Sequence, residues 1–384
     1  MDNKEKKEND SLVIGIDGRV MQEKKPSGIP QYAIHTIREI LKLDKKNKYI
    51  IFYNSFRDIK NNIPEFEGNV EKKFYRFPNK ILEWVWKIFP YPKIDEVLNA
   101  DIFFSPHFIK IPLSKKVKKI VTIHDLSFVR NKKYFSWRKN IWHWQMNPRK
   151  ICAQSDKIIA VSEATKNDIK NIYKIDNQKI KVIYNGSLKI ADVLPYSDEQ
   201  AILDKFNLQK NSYVLFLATL EPRKNIEGIM EAFSIIEKKI PDIKLVVAGK
   251  KGWLFENIFE RAKKHHIEEK IVFTDFVSEE EKYVLIKKSL LFIFPSFCEG
   301  FGLPIVEAIN QGIPVITSSV SSMPEIAKDL AILVNPHNIS DIAQSILQLV
   351  SNNELRNILK KKESSPLDLS WEKTARETLE YLTS

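Results

Sequence analysis

Short apolar runs alternate with helix-like segments along nearly the whole chain, and this alternation restricts the fold more than any other feature. Leu12–Asp17, Tyr213–Thr219 and Leu290–Phe297 are runs of this kind. Their length and continuous hydrophobicity are typical of strands buried on both faces of a parallel sheet. Since a helical segment follows each run, we expect an α/β fold with doubly wound parallel sheets.

The chain is long enough for two domains. Its 384 residues, of which 43% are hydrophobic, exceed what a single core usually organises. Further strands are predicted at about Lys48–Tyr53, Val70–Tyr75, Asp101–Phe104 and Lys119–Ile123. We predict a first domain over residues 12–190 and a second over residues 191–366, after a charged, disordered tail over residues 1–11.

Cysteine usage and hydropathy bear on the compartment. The two cysteines, Cys152 and Cys298, lie far apart in sequence, which favours a reducing compartment over a disulfide framework. Cys298 precedes Glu299 and could act as a nucleophile, but a small buried thiol is the simpler interpretation. The N-terminus lacks an apolar signal segment, and no run approaches the roughly 18 residues that cross a bilayer. We expect a cytoplasmic protein, either soluble or peripheral at the inner face of the membrane.

Positive charge is concentrated in the first half of the chain. The net charge of +12 divides into +17 over residues 1–190 and −5 over residues 191–384, and residues 101–150 contain twelve Lys and Arg against two Asp. Two stretches, 79–93 and 131–150, add five of the seven tryptophans to these cations. Such a surface suits an anionic membrane, although helix packing inside the first domain explains it equally well. No nucleic acid is expected as a partner, because no binding fold or basic motif accompanies these stretches.

The stretch EGFGLPIVE, from Glu299 to Glu307, follows a predicted strand and combines two carboxylates with a glycine loop. Gly300 and Gly302 allow backbone conformations closed to other residues and the close approach of a ligand, and Pro304 suits the start of a helix. Open α/β sheets bind ligands at this edge, so we interpret the stretch as a binding site. The alternative is that Glu307 only caps its own helix.

Cationic and imidazole side chains follow other predicted strands. Arg223 and Lys224 come after Tyr213–Thr219, near a helix start, where they could stabilise a leaving diphosphate. His124 ends the strand that includes Lys119–Ile123 and could bond a sugar hydroxyl. Spacing alone favours a surface Arg-Lys pair and a histidine satisfied at a strand end.

The E-x7-E pattern around GFGLP resembles the donor-sugar signature of the large retaining family of nucleotide-sugar glycosyltransferases with the GT-B fold, known as family four or group one and mannosyltransferase-like. LEPRKN (residues 220–225) is similar to that family's E-x-R/K-K-N loop, and the His124-Asp125 pair is similar to its sugar-contacting histidine. The resemblance covers nearly all of the chain from Leu12. It implies two facing Rossmann-like domains with a cleft between them, and a last helix, within residues 367–384, that crosses back to the first domain.

The resemblance also implies roles for individual residues. Arg223 and Lys224 would hold the donor diphosphate, and His124 would contact the transferred sugar. Glu299 would position that sugar together with the loop amides, and Glu307 would accept hydrogen bonds from the ribose.

Further donor contacts follow from the same resemblance. The loop amides that position the sugar are those around Phe301, Gly302 and Leu303. Gly28 would face the diphosphate, with Ser27 in place of a second glycine of the family loop, and Val277 would lie near the nucleotide base.

These residues imply a retaining hexosyltransferase that moves a hexose-type sugar from GDP-mannose or a UDP-sugar to a saccharide or lipid-linked saccharide, in cell-surface polysaccharide synthesis. No D-x-D motif occurs, so we expect metal-independent transfer, with the nucleotide-diphosphate sugar as co-substrate and no other cofactor. A nucleotide-sugar epimerase or phosphorylase on the same fold is the alternative enzyme. A basic, non-enzymatic nucleic-acid-binding protein is the alternative outside enzymes.

Overall fold

The structure, a computed structural model of the chain, describes residues 11–24, 26, 28–56, 62–78, 85–86, 89–187, 198–361 and 369–384, without the side chains of residues 256, 257 and 361. The predicted tail up to residue 10, Ser27, most of the segment between the two domains and part of the stretch 79–93 lie outside the described residues. The described part forms two parallel sheets, each with helices on its faces, as predicted.

The first sheet has seven strands in the order β3-β2-β1-β4-β5-β6-β7. The strands are β1 (Val13–Asp17), β2 (Lys48–Asn54), β3 (Val70–Tyr75), β4 (Ile102–Ser105), β5 (Lys118–Ile123), β6 (Lys157–Ala160) and β7 (Ile180–Val182). All pairings are parallel, so every carboxyl end points to the same edge. The strand order reverses between β1 and β4, which makes that point the place where ligands usually bind in such a sheet.

The second sheet has six strands in the order β10-β9-β8-β11-β12-β13, again all parallel. The strands are β8 (Tyr213–Leu217), β9 (Lys244–Ala248), β10 (Ile271–Asp275), β11 (Leu291–Phe294), β12 (Val315–Ser318) and β13 (Ala331–Val334). Here the order reverses between β8 and β11. The predictions for β8 and β11 were too long at their carboxyl ends, because at least partly buried residues continue into the loops after the last strand residues.

The helices of the described part alternate with the strands. In the first domain they are α1 (Ile29–Leu43), α2 (Ile94–Leu98), α3 (Ser127–Arg130), α4 (Trp137–Met146), α5 (Pro148–Gln154) and α6 (Glu163–Tyr173). In the second they are α7 (Glu199–Lys205), α8 (Ile226–Ile236), α9 (Glu256–Lys264), α10 (Glu279–Lys288), α11 (Leu303–Asn310), α12 (Met323–Ala327), α13 (Ile339–Ser351) and α14 (Asn353–Lys361). The last helix is α15 (Trp371–Thr383). None of the described helices is both long and apolar enough to span a membrane.

Helix caps follow the sequence signals. The hydroxyl of Ser162 accepts a hydrogen bond from Thr165 N at 3.1 Å and starts α6. Ser278 and Glu281, in the order typical of a capping box, form one at the start of α10, in which each side chain accepts a bond from the other residue's backbone N–H. These caps fix where each helix begins relative to the strand before it.

Helix α15 packs on the first domain although it follows the second in sequence. Ala375 and Leu382 are buried in the same core as Ile37 of α1. At the end of the helix, Lys157 Nζ donates to the carbonyl of Ser384 at 2.7 Å. The chain therefore passes between the two domains twice. The domain boundaries at residues 190 and 366 stay predictions.

Candidate functional site

The point where the strand order of the second sheet reverses brings the predicted donor-binding residues together. Arg223 and Lys224 follow β8, and Glu299 follows β11, which lies beside β8. The two groups are about 75 residues apart in sequence and meet because both strands end at the same edge. All of these side chains are largely buried, with 17% of Arg223, 9% of Lys224 and 7% of Glu299 exposed.

Glu299 is fully engaged by the two cations. Its Oε2 accepts from Arg223 Nη1 at 2.9 Å and its Oε1 from Lys224 Nζ at 2.6 Å. Burial acts to raise the pKa of Glu299, but the two cations outweigh it, so its pKa lies below the ordinary glutamate value. Glu221, the other buried carboxylate of this cluster, pairs with Arg223 Nε, and the carboxylates together raise the pKa of Arg223. Glu299 is therefore a fixed anion at neutral pH.

Serine hydroxyls from the neighbouring strand hold the loop that carries Glu299. Ser321 Oγ donates to the carbonyl of Glu299 at 2.7 Å, and Ser322 Oγ donates to the carbonyl of Phe301 at 2.9 Å. Gly302, with φ of 106°, turns the chain into α11. Within the described residues, the N–H groups of Phe301, Gly302 and Leu303 have no hydrogen-bond acceptor. The loop thus presents free donors at a helix start, where an anion or a sugar oxygen would be favoured.

Gly300 is required by a close contact between the two domains, which the sequence interpretation did not predict. Its φ is not positive, whereas a Cβ built on it would lie 1.9 Å from the carbonyl oxygen of His124 in the first domain. Thr165 lies against the same contact, and its hydroxyl donates to the His124 carbonyl at 3.1 Å. The prediction of an unusual backbone conformation is therefore right for Gly302 and wrong for Gly300, which permits the two domains to touch.

His124 faces the second domain from the carboxyl end of β5. Its Nε2 donates to the carbonyl of Pro106 at 2.8 Å, and Tyr32 lies edge-on to its ring at 4.8 Å. Burial lowers the pKa of His124 to about 4. The imidazole is neutral at physiological pH, so with Nε2 protonated its Nδ1 is a hydrogen-bond acceptor.

Asp125 extends this site toward the second domain. Burial acts to raise its pKa, but Arg223 and two hydrogen bonds from Ser127, from N at 2.9 Å and from Oγ at 2.6 Å, bring the pKa below the ordinary aspartate value. The carboxylate and the guanidinium attract each other across the cleft. This attraction favours the closed arrangement of the two domains.

Glu307 does not cap its helix, so the capping alternative is wrong. Helix α11 begins at Leu303, too early for Glu307 to reach its free amides, and Glu307 Oε1 instead accepts from Lys282 Nζ at 2.6 Å. Lys282 also pairs with Glu279 at 2.7 Å, and Glu279 accepts from Gln31 Nε2 of the first domain at 2.9 Å. The two carboxylates outweigh burial and raise the pKa of Lys282. Glu307 therefore ends a polar chain that crosses the cleft.

The remaining predicted contacts have different surroundings. Gly28 adopts a φ of 60° just before α1 and has open space around the position of a Cβ. Phe301 and Leu303 pack with Val161 of the first domain in an apolar cluster between the domains. Val277 is buried in the core of the second domain, where only its backbone could reach a ligand. The roles of all these residues stay predictions.

Cys298, beside Glu299, is a free, buried cysteine as the simpler interpretation expected. Burial raises the pKa of its thiol to about 12. Such a thiol is protonated at neutral pH and is not an activated nucleophile.

The stretch 131–150 has three environments rather than the two considered from sequence. Trp137 and Trp144 are 68% and 80% exposed. Trp142 packs in the first domain's core. Tyr134 and Phe135 contact the second domain, where Phe135 stacks on Trp253 at 5.7 Å. Part of this stretch is therefore an interface between the domains.

Several residues of the site were missed by sequence reasoning. Ser321 and Ser322 could have been found, since they follow a strand at the same edge of the sheet. Glu325 of α12 accepts hydrogen bonds from Glu163 N at 2.8 Å and Ala164 N at 3.3 Å, at the start of α6 in the other domain. No local pattern marks such a contact between domains.

Two family models match consecutive parts of the chain. Residues 27–187 match the model described as Glycosyltransferase Family 4, and residues 198–365 match the model described as Glycosyl transferases group 1. The chain belongs to the group 1 glycosyltransferases. The predicted family is thereby confirmed, and the chain is a glycosyltransferase.

Relatives of this glycosyltransferase include proteins of O-antigen synthesis. It is 24% identical over 376 residues to O-antigen chain mannosyltransferase B of Escherichia coli, which covers 92% of this chain and 95% of the relative. It is 28% identical over 299 residues to the serotype-specific mannosyltransferase WbdA of Escherichia coli, which covers 75% of this chain but 37% of that longer protein.

Solved structures confirm the GT-B fold. Sucrose-phosphate synthase of Thermosynechococcus elongatus superposes with a TM-score of 0.76 at 17% identity, over 96% of this chain and 98% of that one. HepE of Anabaena, solved in complex with UDP-glucose, superposes with a TM-score of 0.72 at 17% identity, over 97% and 99% of the chains.

Proposed function

We propose that this glycosyltransferase moves a hexose-type sugar from a nucleotide-diphosphate donor, GDP-mannose or a UDP-sugar, to a saccharide or lipid-linked saccharide in cell-surface polysaccharide synthesis. The observation that carries the proposal is the buried cluster of Glu299, Arg223 and Lys224 opposite His124. The mannosyltransferase relatives favour mannose as the transferred sugar.

The donor diphosphate is assigned to Arg223 and Lys224. Arg223 uses Nε and Nη1 for protein acceptors, and its Nη2 makes no hydrogen bond within the described residues. Lys224 has three N–H donors, of which Glu299 takes one. Both cations can therefore bind phosphate oxygens without leaving Glu299. They neutralise the charge that develops on the leaving group, so we propose that transfer needs no metal ion or further cofactor.

The sugar is assigned to the space between Glu299, the amides of Phe301–Leu303 and His124. Neutral His124 offers Nδ1 as an acceptor for a sugar hydroxyl. The nucleoside extends from there toward Glu307, whose Oε2 accepts from ribose hydroxyls while Lys282 holds Oε1. Gly28 faces the diphosphate from the first domain, and the backbone at Val277 faces the base.

We propose that the anomeric configuration is retained. Glu299 is a poor nucleophile because both of its oxygens are bound to cations, and the Cys298 thiol is protonated. The acceptor hydroxyl oxygen then attacks the anomeric carbon on the face that the diphosphate leaves. The bond from this carbon to the diphosphate oxygen breaks, the bond to the acceptor oxygen forms, and the acceptor proton passes to the departing diphosphate.

We also propose that the first domain rests on an anionic membrane. Trp137, Ile141 and Trp144 form an exposed stripe along α4, next to Lys133 and Arg138. Lys139, a neighbouring cation, lies 3.3 Å from the centre of the Trp253 ring and so contacts the second domain. It is therefore left unchanged in the test. Reversing the charges of Lys133 and Arg138 to Glu should therefore reduce binding to phosphatidylglycerol vesicles, and unchanged binding would assign the stripe another role.

The donor is tested with a thermal-shift panel of nucleotide sugars, including GDP-mannose and UDP-glucose. One of them should raise the melting temperature, and the same donor should support transfer to an added saccharide or lipid-linked saccharide, with retained configuration by NMR. Isomerisation of the donor without an acceptor would instead identify an epimerase. A panel in which no nucleotide sugar binds would refute the proposal.

A further inference from the structure

The first domain contains a cavity that the donor site does not use. It has a volume of about 1230 Å³ and lies between β4 and β5 on one side and α4 and α5 on the other. Phe103 and Val121 line it and belong to different core clusters, so the cavity separates two parts of the core on this face of the sheet. It exceeds the roughly 300–1,000 Å³ typical of sites for small ligands.

The cavity is elongated along the strands. Lys119, near the beginning of β5, and Ser155, just before β6, line one end. Lys132 and His143 line the other end, beyond the carboxyl end of β5, which is the edge where His124 faces the cleft. Strand β5, with its six residues, spans roughly 20 Å. A chain-like ligand is therefore a better match than a compact one.

The charged residues that line the cavity are all positive. Among the described residues, seven Lys and Arg and no Asp or Glu line the cavity, together with many apolar side chains. Five of these cations form no ion pair with a described carboxylate; they are Lys115, Lys119, Lys132, Arg149 and Lys150. Cations beside accessible apolar walls are suited to an anionic group attached to an apolar chain.

The mouth of the cavity lies beside the exposed stripe of α4. Trp144, which is 80% exposed, both belongs to this stripe and lines the cavity. Trp137 and Ile141 continue the stripe on the same side of the helix. An apolar chain that leaves a membrane at this stripe therefore reaches the cavity at Trp144.

We propose that this cavity binds the phosphate or diphosphate, and the adjoining part of the apolar chain, of a lipid-linked saccharide acceptor. The inference rests on the proposed function and names the acceptor class for the same reaction. The lipid phosphate pairs with the lining cations, the chain lies along accessible apolar side chains of the lining such as Ile111 and Trp144, and the saccharide emerges at the Lys132 end toward His124.

Dodecyl phosphate is a suitable probe, with binding followed by calorimetry on the full chain. Arg149→Glu combined with Lys150→Glu reverses two charges of the cavity, and we expect it to weaken dodecyl phosphate at least tenfold. Lys166→Glu combined with Lys170→Glu on α6 is the matched control, because it makes the same charge change in the first domain, outside both the lining and the proposed membrane surface. We expect the control to leave dodecyl phosphate affinity unchanged.

Chain length gives a second, independent measurement. Decyl phosphate should bind the unmodified protein roughly tenfold more weakly than dodecyl phosphate, since two buried methylenes are removed. Equal affinities for the two, or full competition by inorganic phosphate, would overturn the inference in favour of a plain anion site. Equal losses in both double variants would also overturn it.

The failure of this inference is distinguishable from failure of the proposed function. If a nucleotide sugar binds and its sugar passes to a soluble saccharide while dodecyl phosphate does not bind, the cavity assignment is wrong and the transferase assignment stands. Circular dichroism and the melting temperature of the Arg149→Glu, Lys150→Glu protein, compared with those of the unmodified protein, report whether the first domain of that variant is folded.

Discussion

The contact between Gly300 and His124 leads to a prediction whose size follows from the coordinates. Replacing Gly300 by Ala places a Cβ 1.9 Å from the His124 carbonyl oxygen, whereas real Cβ contacts are not shorter than 3.0 Å. The two backbones must therefore separate by at least about 1.1 Å. The obstructing atom belongs to the main chain, so a change of side-chain rotamer cannot relieve the clash.

A displacement of this size acts on the reaction more than on donor binding. Glu299, Arg223 and Lys224 remain together in the second domain, so the affinity for nucleotide diphosphate should change little. His124 and the acceptor move away from the sugar, and a misplacement of about 1 Å can cost on the order of 10²-fold in rate. We expect kcat of Gly300→Ala to fall by about this factor.

The assays are transfer kinetics, nucleotide binding by calorimetry, and small-angle scattering of the nucleotide-bound protein, whose radius of gyration should increase. Thr165→Val is the comparison variant, since it removes hydrogen bonds at the same contact without adding an atom that clashes. Its kcat should fall less than that of Gly300→Ala. Wild-type kcat and an unchanged scattering curve for Gly300→Ala would refute the argument.

Three further predictions concern the buried charges. Glu299→Gln leaves two buried cations without their carboxylate, so the free energy of unfolding of the second domain should fall by about 3–5 kcal/mol in denaturant titrations; an unchanged value would contradict the ion-pair argument. Glu307→Gln should raise the nucleotide Kd by roughly tenfold or more in calorimetry, because a charge-assisted bond to the ribose is lost, and an unchanged Kd would remove Glu307 from the site. The pKa of His124, and those of His35 and His143, are lowered by burial to about 4. As the pH falls, the unfolded chain binds these protons before the folded chain does. The free energy of unfolding should therefore keep its full value above the unfolded pKa of about 6.5 and should decrease as the pH drops toward 4. A free energy of unfolding that does not change in that window would contradict the burial of neutral imidazoles.

Much of the fold could be predicted because its signals are local. Most strands of the two sheets are short apolar runs, with β3 as an exception, and the capping box of Ser278 and Glu281 lies within four consecutive residues. The errors lie where burial continues past the ladder. Phe297 extends the apolar run of β11, yet it is half-buried and stacks on Tyr134 of the other domain, with ring centres 5.2 Å apart, and does not belong to the sheet.

The composition of the site could be predicted better than its geometry. Arg223, Lys224 and Glu299 were identified from their own loops, but their contact depends on β8 and β11 being neighbours, which no local pattern states. The pairing of Lys282 with Glu307 is even harder to predict, because a Lys near the acidic start of a helix cannot be distinguished by sequence from a solvated surface charge. Long-range pairing therefore sets the limit of what this sequence reveals.

Helix packing and membrane contact were the two explanations offered for the basic, aromatic stretch, and both assumed that it belongs to the first domain alone. Trp253 bonds the carbonyl of Tyr134 through Nε1 at 2.7 Å, and Lys139 lies over the same indole. These contacts need a second domain in a defined orientation. A sequence pattern that is read one segment at a time has no means of indicating them.

The two glycines of EGFGLPIVE show why a motif can be found correctly and still be explained incompletely. Gly302 is required by a φ of 106° inside its own loop, a reason that the loop sequence contains. Gly300 is required by the backbone of His124, which is more than 170 residues away in sequence and in the other domain. A substitution at Gly302 should therefore strain the donor loop itself, whereas a substitution at Gly300 should leave that loop intact and prevent the domains from meeting. The same nine residues thus contribute both to the proposed donor site and to the contact between the two domains.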